Sequence, residues 1–145
     1  MSTTTNQASQ TAQVFYTAKT RTTGGREGAS RSSDGNLDVK LSMPGSSKPG
    51  TNPEQLFAAG WSACFEGAMA KAAQKLKVRL PDNLYIDAEM DLIVDDGNFS
   101  LAARMNVSLP GLDKEVALQI IEIAHNICPY SKAIKNNVPV SFNLI

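Results

Sequence analysis

The sequence predicts an α+β fold in which antiparallel sheets are combined with a long buried central helix and a second helix. Three observations support this prediction: a strand-rich opening section, an apolar stretch of helical length after Asn52, and a hairpin pattern followed by a helical one. The resulting order is strands, helix, hairpin, helix and strand. This order is typical of the α+β class, since α/β proteins alternate strands with helices throughout.

Three short stretches in the opening section have alternating or β-branched residues, and they predict strands over residues 14–23, 29–33 and 37–41. A glycine-dense turn at residues 24–28 separates the first two strands. Asp34-Gly35, a common hairpin signal, separates the second from the third. Arg26 is therefore predicted to lie on a glycine-rich connection of a small antiparallel sheet.

The first predicted helix starts with Asn52 as its N-cap and has Glu54 in its first turn, where an acidic side chain suits the helix dipole. It is predicted to extend to about Leu76. Residues 56–69 are apolar or small almost all the way round, which predicts burial on most sides of the helix. Cys64 lies in the middle of this segment.

The second half of the chain predicts a hairpin, a second helix and a last strand. Two runs of alternating apolar residues flank a turn at residues 95–98, which is the pattern of a β-hairpin. Apolar residues at helical spacing follow from Asp113, and Pro129 closes this helix directly after Cys128 in its last turn. The remaining predictions are a short helical turn and a strand, over residues 131–135 and 138–144.

Composition and charge argue against several classes of partner. Fourteen basic residues balance fourteen acidic ones, so no basic surplus is present to neutralise nucleic acid or anionic lipid. No apolar run reaches the roughly 18 residues that span a bilayer, and residues 1–13 lack the apolar core of a secretory signal. We therefore predict a cytoplasmic protein with no nucleic-acid or membrane partner. A flexible polar tail is expected over residues 1–13, and a single domain over residues 14–145.

Cys64 and Cys128 are too few to form a disulfide scaffold. Free cysteine is among the most buried residue types, so the pattern alone favours two small core residues. The alternative is a peroxidatic and resolving pair, in which one cysteine reacts as the thiolate. A thiolate in an apolar pocket needs a nearby cation, for which Arg26 is a candidate, and Glu54 could hold that guanidinium through a bidentate pair. By themselves, Arg26 and Glu54 are more typical of a solvated turn and a first helical turn.

Metal and cofactor sites find less support in the sequence. His125 precedes Cys128 by three residues and could form half of a zinc site, but the chain has no second histidine and no Cys-x-x-Cys pair. A structural role for His125 is favoured. The acidic residues between 87 and 96 lack the spacing of a calcium loop, and the turn at 24–28 is too short for a phosphate cradle. We predict no cofactor and no metal.

Three sequence motifs, which follow one another along the chain, resemble those of a known protein family. They are Gly-Gly-Arg at residues 24–26, Thr-Asn-Pro-Glu-Gln-Leu-Phe-Ala-Ala-Gly-Trp-Ser-Ala-Cys-Phe at residues 51–65, and Ala-His-Asn-Ile-Cys-Pro-Tyr-Ser at residues 124–131. Together they resemble the signature of the organic hydroperoxide resistance proteins (Ohr) of the OsmC/Ohr family. The similarity covers nearly the whole chain after its polar tail.

The resemblance implies a function and a role for each candidate residue. Cys64 would be the peroxidatic cysteine and Cys128 the resolving one, while Arg26 would activate the thiolate and Glu54 would fix Arg26. The implied reaction reduces alkyl or fatty-acid hydroperoxides to alcohols, with dihydrolipoamide or a lipoylated protein as the reductant. The implied assembly is an OsmC-like intertwined homodimer. The alternative is a non-enzymatic thiol or ligand-binding module that uses the same apolar pocket, with the two cysteines as a redox sensor.

Overall fold

Two three-stranded sheets organise the chain, one in each of the two units into which it divides. The structure is a computed structural model that describes residues 11–145. One unit ends at Thr51, and the other spans Asn52–Ile145. The predicted tail at residues 1–13 falls largely outside the described residues, and its flexibility and the single domain remain predictions.

The first unit contains a small antiparallel sheet in the order β1-β2-β3. Its strands are β1 (Thr20–Thr23), β2 (Ala29–Ser32) and β3 (Asp38–Lys40). A 3-10 helix, Gly25–Glu27, lies between β1 and β2. Three antiparallel strands were predicted, and all three are present. The prediction that the first strand starts at residue 14 is wrong, because the pairing ends with Thr20 opposite Ser32 and a hydrogen bond from the backbone N–H of Ser33 to the carbonyl of Lys19.

The second unit opens with helix α1 (Pro53–Leu76), whose predicted limits are confirmed. The side chain of Asn52 accepts a hydrogen bond from the backbone N–H of Gln55 at 2.8 Å, as an N-cap does. Burial is confined to one face, which includes Trp61, Phe65 and Met69. The prediction of burial on most sides is therefore wrong for this chain by itself, since its sheet and other helices contact only that face.

The sheet of the second unit has the order β4-β5-β6. Its strands span Tyr85–Asp95, Asn98–Ser108 and Val140–Leu144. β4 and β5 form the predicted antiparallel hairpin, and Asp96 and Gly97 at its tip have positive φ angles, as a two-residue hairpin turn requires. β6 pairs with β5 in parallel, which corrects the expectation of purely antiparallel sheets. The helices between them carry the chain back along the sheet, so that β6 enters in the direction of β5.

Two consecutive helices precede β6: α2 (Lys114–Ile127) and α3 (Pro129–Ile134). Cys128 ends one helix and begins the other, with extended backbone angles of φ −64° and ψ 125°. It was expected in the last turn of α2, and α3 was expected to start at residue 131. Both limits differ because Pro129 disfavours a helical conformation of the residue before it and itself opens a new helix.

The hydrophobic core of the second unit lies between the buried face of α1, helix α2 and the inner face of the sheet. Phe65 of α1 stacks on Phe142 of β6 with ring centroids 5.3 Å apart. Ile120 of α2 and Met105 of β5 are completely buried beside them. No helix in the described part of the chain is long and apolar enough to cross a membrane.

Candidate active site

The two cysteines of the chain lie together inside the second unit. Cys64 is on α1, and Cys128 is at the junction of α2 and α3, 64 residues further along the chain. Their sulfur atoms are 3.5 Å apart, with Cys128 Sγ as the donor and Cys64 Sγ as the acceptor of a thiol hydrogen bond. A disulfide bond has a sulfur–sulfur length of about 2.05 Å, so a shift of roughly 1.5 Å would join them.

The two thiols differ in their accessibility. Cys128 is completely buried, whereas Cys64 is only partly buried. Both are free thiols. An external reagent therefore reaches Cys64 first, while Cys128 can react with whatever forms on the neighbouring sulfur. This asymmetry is what a nucleophile and a resolving thiol require.

Three influences act on the pKa of the Cys64 thiol. Burial raises it above the ordinary value, because the charged thiolate loses hydration, and the neighbouring Cys128 raises it further. The backbone N–H of Tyr130, at the start of α3, donates a hydrogen bond to the sulfur and lowers the pKa. Burial is the largest influence, and the surroundings within the second unit therefore favour the neutral thiol.

Aromatic side chains connect helix α1 with the start of helix α3. Phe57 contacts both Trp61 and Tyr130 edge-on, with ring centroids 6.0 Å apart in each case. The indole N–H of Trp61 donates a hydrogen bond to the hydroxyl of Ser131 at 3.2 Å, and both residues are completely buried. Helix α3 is thus attached to α1 in the two helical turns that precede Cys64.

Arg26 lies on the 3-10 helix Gly25–Glu27 of the first unit and is partly buried. The glycines around it have a conformational reason. Gly24 has a φ of 74°, and a Cβ atom at Gly28 would collide with the carbonyl oxygen of Thr23. The predicted glycine-rich turn that presents Arg26 is therefore present.

Glu54 lies in the first turn of α1 in the second unit and is partly buried. Of the four predicted site residues, the structure brings Cys64 and Cys128 together within one unit. The grouping of Arg26 and Glu54 with these cysteines remains a prediction.

His125 occupies the turn of α2 that precedes Cys128. Its ring lies 4.7 Å from that of Phe142, and its buried Nδ1 has no hydrogen-bond partner. Burial, assisted by the positive charge of Lys135, lowers the pKa of His125 and keeps it neutral. Within residues 11–145, no group of three or more histidine, cysteine and acidic side chains could hold a metal ion.

The sequence alone did not single out Trp61, Tyr130 or Ser131 as parts of the site. A signal was available, since Trp61 precedes Cys64 by one helical turn and Tyr130 and Ser131 directly follow Cys128 and Pro129. Residues one turn apart on a helix share a face, so a side chain there is a candidate neighbour of the sulfur. Which of them contact α1 depends on the helix packing.

A family model described as OsmC-like protein matches residues 43–143. The organic hydroperoxide resistance protein of Xanthomonas axonopodis pv. citri is 43% identical over 136 residues, which cover 91% of this chain and 96% of the relative. Organic hydroperoxide resistance protein OhrB of Bacillus subtilis is 41% identical over 136 residues, with 90% and 98% covered.

Solved structures show the same similarity in three dimensions. The crystal structure of OhrB of Bacillus subtilis superposes with a TM-score of 0.86 and 39% sequence identity. The match covers 91% of this chain and 100% of that one. The α+β arrangement described above is therefore shared with an organic hydroperoxide resistance protein over nearly its whole length.

Proposed function

The chain belongs to the OsmC-like family, among its organic hydroperoxide resistance proteins, and from that premise we propose that it is a cysteine-based peroxidase that reduces organic hydroperoxides to alcohols. One observation carries the proposal: a partly accessible thiol, Cys64, lies 3.5 Å from a completely buried one, Cys128. The names of the relatives, which refer to resistance to organic hydroperoxides, support this class of substrate.

The first step is attack by the Cys64 thiolate on one peroxide oxygen. An S–O bond forms, the O–O bond breaks, and the leaving alkoxide takes up a proton to become the alcohol. Sulfur loses two electrons and the peroxide gains them, which leaves Cys64 as a sulfenic acid. The partial burial of Cys64 gives an apolar surrounding, which suits alkyl and fatty-acid hydroperoxides better than hydrogen peroxide.

The second step is the capture of the sulfenic acid by Cys128. Its sulfur attacks Cys64 Sγ, the S–O bond breaks, and the hydroxide leaves as water with the thiol proton of Cys128. The short sulfur–sulfur distance supports a fast capture, because the reacting atoms already lie near attack distance. Thiol–disulfide exchange with an external dithiol then restores both thiols. We assign that role to dihydrolipoamide or a lipoylated protein.

Arg26 and Glu54 complete the proposed mechanism. Burial raises the pKa of Cys64, so a reactive thiolate at neutral pH needs a cation beside it. Arg26 is assigned this role, together with a donor function toward the leaving oxygen, and Glu54 is assigned the role of holding the guanidinium. A guanidinium suits the task because it stays charged even when desolvated.

A homodimer is proposed as the functional assembly. Small side chains line the exposed side of α1, opposite its buried face, at Ala59, Ala63, Gly67 and Ala70. Small residues at this spacing allow another backbone to approach closely. The pattern supports a second copy of the chain as the cover for that side.

The test is a steady-state assay with the full chain at physiological pH. We expect repeated turnover of cumene hydroperoxide and of a fatty-acid hydroperoxide when dihydrolipoamide is supplied, and slower turnover of hydrogen peroxide. Thioredoxin and glutathione systems serve as comparison reductants. One oxidation per chain without turnover, whatever dithiol is supplied, would contradict the peroxidase and favour a redox sensor.

A further inference from the structure

Helix α1 carries a glycine, Gly60, beside the phenolic end of the Tyr130 side chain. A Cβ atom built at Gly60 would lie 2.8 Å from the phenolic oxygen of Tyr130, 3.3 Å from Cζ and 3.7 Å from Cε1. The first of these distances is shorter than any that real Cβ atoms show, so an alanine at this position would displace the ring. Gly60 has ordinary helical backbone angles, and its backbone conformation alone therefore does not require glycine.

The ring of Tyr130 is restricted from a second direction. Phe57, three residues before Gly60 on α1, meets it edge-on at a centroid distance of 6.0 Å and an interplanar angle of 80°. Phe57 is itself supported by Trp61, which is anchored through its hydrogen bond to Ser131. Tyr130 is 40% exposed, so a ring pushed off Gly60 would move toward solvent and lose its edge-on contact with Phe57.

Tyr130 also lies close to the reacting sulfurs along the backbone. It is the second residue of α3, two positions after Cys128, and its N–H donates to the sulfur of Cys64. In a helix of only six residues, a shift of the Tyr130 side chain can move the backbone of this first turn, which lies beside both cysteines.

We propose that the contact between Gly60 and the Tyr130 ring sets the approach of the two cysteine sulfurs, which makes Tyr130 a positioning residue of the thiol chemistry. The inference deepens the proposed peroxidase function and rests on it for its biological meaning. The structure offers a matched control, since a Cβ atom at Gly67, seven residues further along the same helix, would meet nothing within 4 Å.

The experiment measures disulfide formation without peroxide. One thiolate adds to diamide and the second sulfur then displaces the hydrazine to form the Cys64–Cys128 disulfide, so the rate at a fixed fraction of thiolate reports the approach of the two sulfurs. We expect Gly60→Ala to slow this reaction by about tenfold, since small displacements of reacting groups have large effects on rate. Gly67→Ala should react at the wild-type rate. Alanine favours a helix more than glycine does, so Gly67→Ala should not lower the thermal unfolding midpoint, and the midpoint of Gly60→Ala checks that this variant is folded.

A double-mutant cycle assigns the effect to Tyr130. Tyr130→Phe removes the oxygen that lies 2.8 Å from the Gly60 position but keeps the ring against Phe57, so adding it to Gly60→Ala should recover part of the lost rate. Tyr130→Ala should slow diamide oxidation, and adding Gly60→Ala to it should cause no further loss. In a Cys128→Ser background, titration of the Cys64 thiolate by its ultraviolet absorbance should show a higher pKa with Tyr130→Ala than with Tyr130→Phe.

Two results would overturn the inference: diamide oxidation of Gly60→Ala at the wild-type rate, or a Gly60→Ala effect that persists in full when Tyr130 is alanine. These results are separate from the fate of the peroxidase. A wild-type chain that turns over no hydroperoxide, yet shows the Gly60 effect with diamide, would remove the proposed function and leave the positioning contact standing. Hydroperoxide turnover by the wild-type chain, together with diamide oxidation of Gly60→Ala at the wild-type rate, would support the peroxidase and remove the positioning contact.

Discussion

The two units of this chain hold their candidate functional residues in different ways. In the second unit, α1, α2 and the sheet enclose a core of fully buried side chains, and the cysteine pair lies against it. In the described part of the first unit, only Ser30, Leu41 and Ser42 are buried, and every residue of β1 is exposed. Cys64 and Cys128 are thus positioned by packing, whereas the presentation of Arg26 depends on the backbone geometry of a glycine turn.

The cysteine pair and Arg26 should therefore differ in their sensitivity to substitutions of neighbouring side chains. A packed interior transmits any change of volume to its neighbours, so the sulfur–sulfur distance should respond to core substitutions. A short three-stranded sheet with little buried apolar surface gains little stability from its own side chains. Arg26 should therefore respond to changes in its turn and hardly to changes in strand side chains.

The largest expected effect is the loss of hydroperoxide turnover when Cys64 is replaced, which tests whether the reacting cysteine lies in the second unit. Replacing the nucleophile, Cys64→Ser, should lower hydroperoxide turnover by a factor on the order of 10³ or more, as loss of a catalytic nucleophile generally does. Cys128→Ser should still consume one equivalent of peroxide per chain and leave a sulfenic acid that dimedone labels, as mass spectrometry would detect. Sustained turnover by Cys64→Ser would contradict the assignment of the nucleophile.

The next effect compares the two interiors directly. Phe65→Ala should lower the free energy of unfolding by about 3–5 kcal/mol, because it empties a completely buried site that stacks on Phe142. Val39→Ala, in the partly buried strand β3 of the first unit, should cost about 1 kcal/mol, since little surface is lost. Urea unfolding followed by circular dichroism measures both. Equal losses would remove the contrast between the units.

A smaller effect concerns Arg26 and the pH profile of activity. Burial raises the pKa of Cys64, and the proposed guanidinium offsets this rise by favouring the thiolate. Arg26→Ala should therefore move the rise of activity with pH to higher pH and lower turnover at neutral pH by about 10–100-fold. Arg21→Ala, on the exposed strand β1 of the same unit, is the control. An Arg26→Ala profile that coincides with that of Arg21→Ala would refute the role.

The smallest expected effect is a change in the pH dependence of stability, which comes from an ionic network on the outer face of the second sheet. Arg104 donates to both oxygens of Asp91 at 2.7 Å and to Glu89 at 2.9 Å, and these hydrogen bonds lower the pKa of both carboxyls. Their stabilising contribution is thus present above the ordinary carboxyl pKa and lost as the pH falls through the lowered values. Arg104→Gln should flatten the acid limb of a plot of melting temperature against pH. An unchanged acid limb would show that this network contributes nothing measurable.

The sequence by itself determined most of the local elements and pointed to the candidate reactive residues. The Asn52 cap, the limits of α1 and the hairpin with its turn at Asp96 and Gly97 follow from capping, periodicity and turn chemistry, which act over a few residues. The motifs around Cys64 and Cys128 also indicated the family. Local rules also predicted a helix end near Cys128, although the effect of Pro129 on the preceding residue ends α2 one residue earlier than expected.

Only the tertiary structure decided how these elements meet. The parallel pairing of β6 with β5, the one-sided burial of α1 and the 3.5 Å separation of the two sulfurs depend on contacts between residues far apart in sequence. The same holds for Gly60, whose helical backbone gives no local reason for glycine, and which only the ring of Tyr130, 70 residues away, explains. Periodicity identifies the face of a helix that is buried, but the partner on that face is chosen by packing.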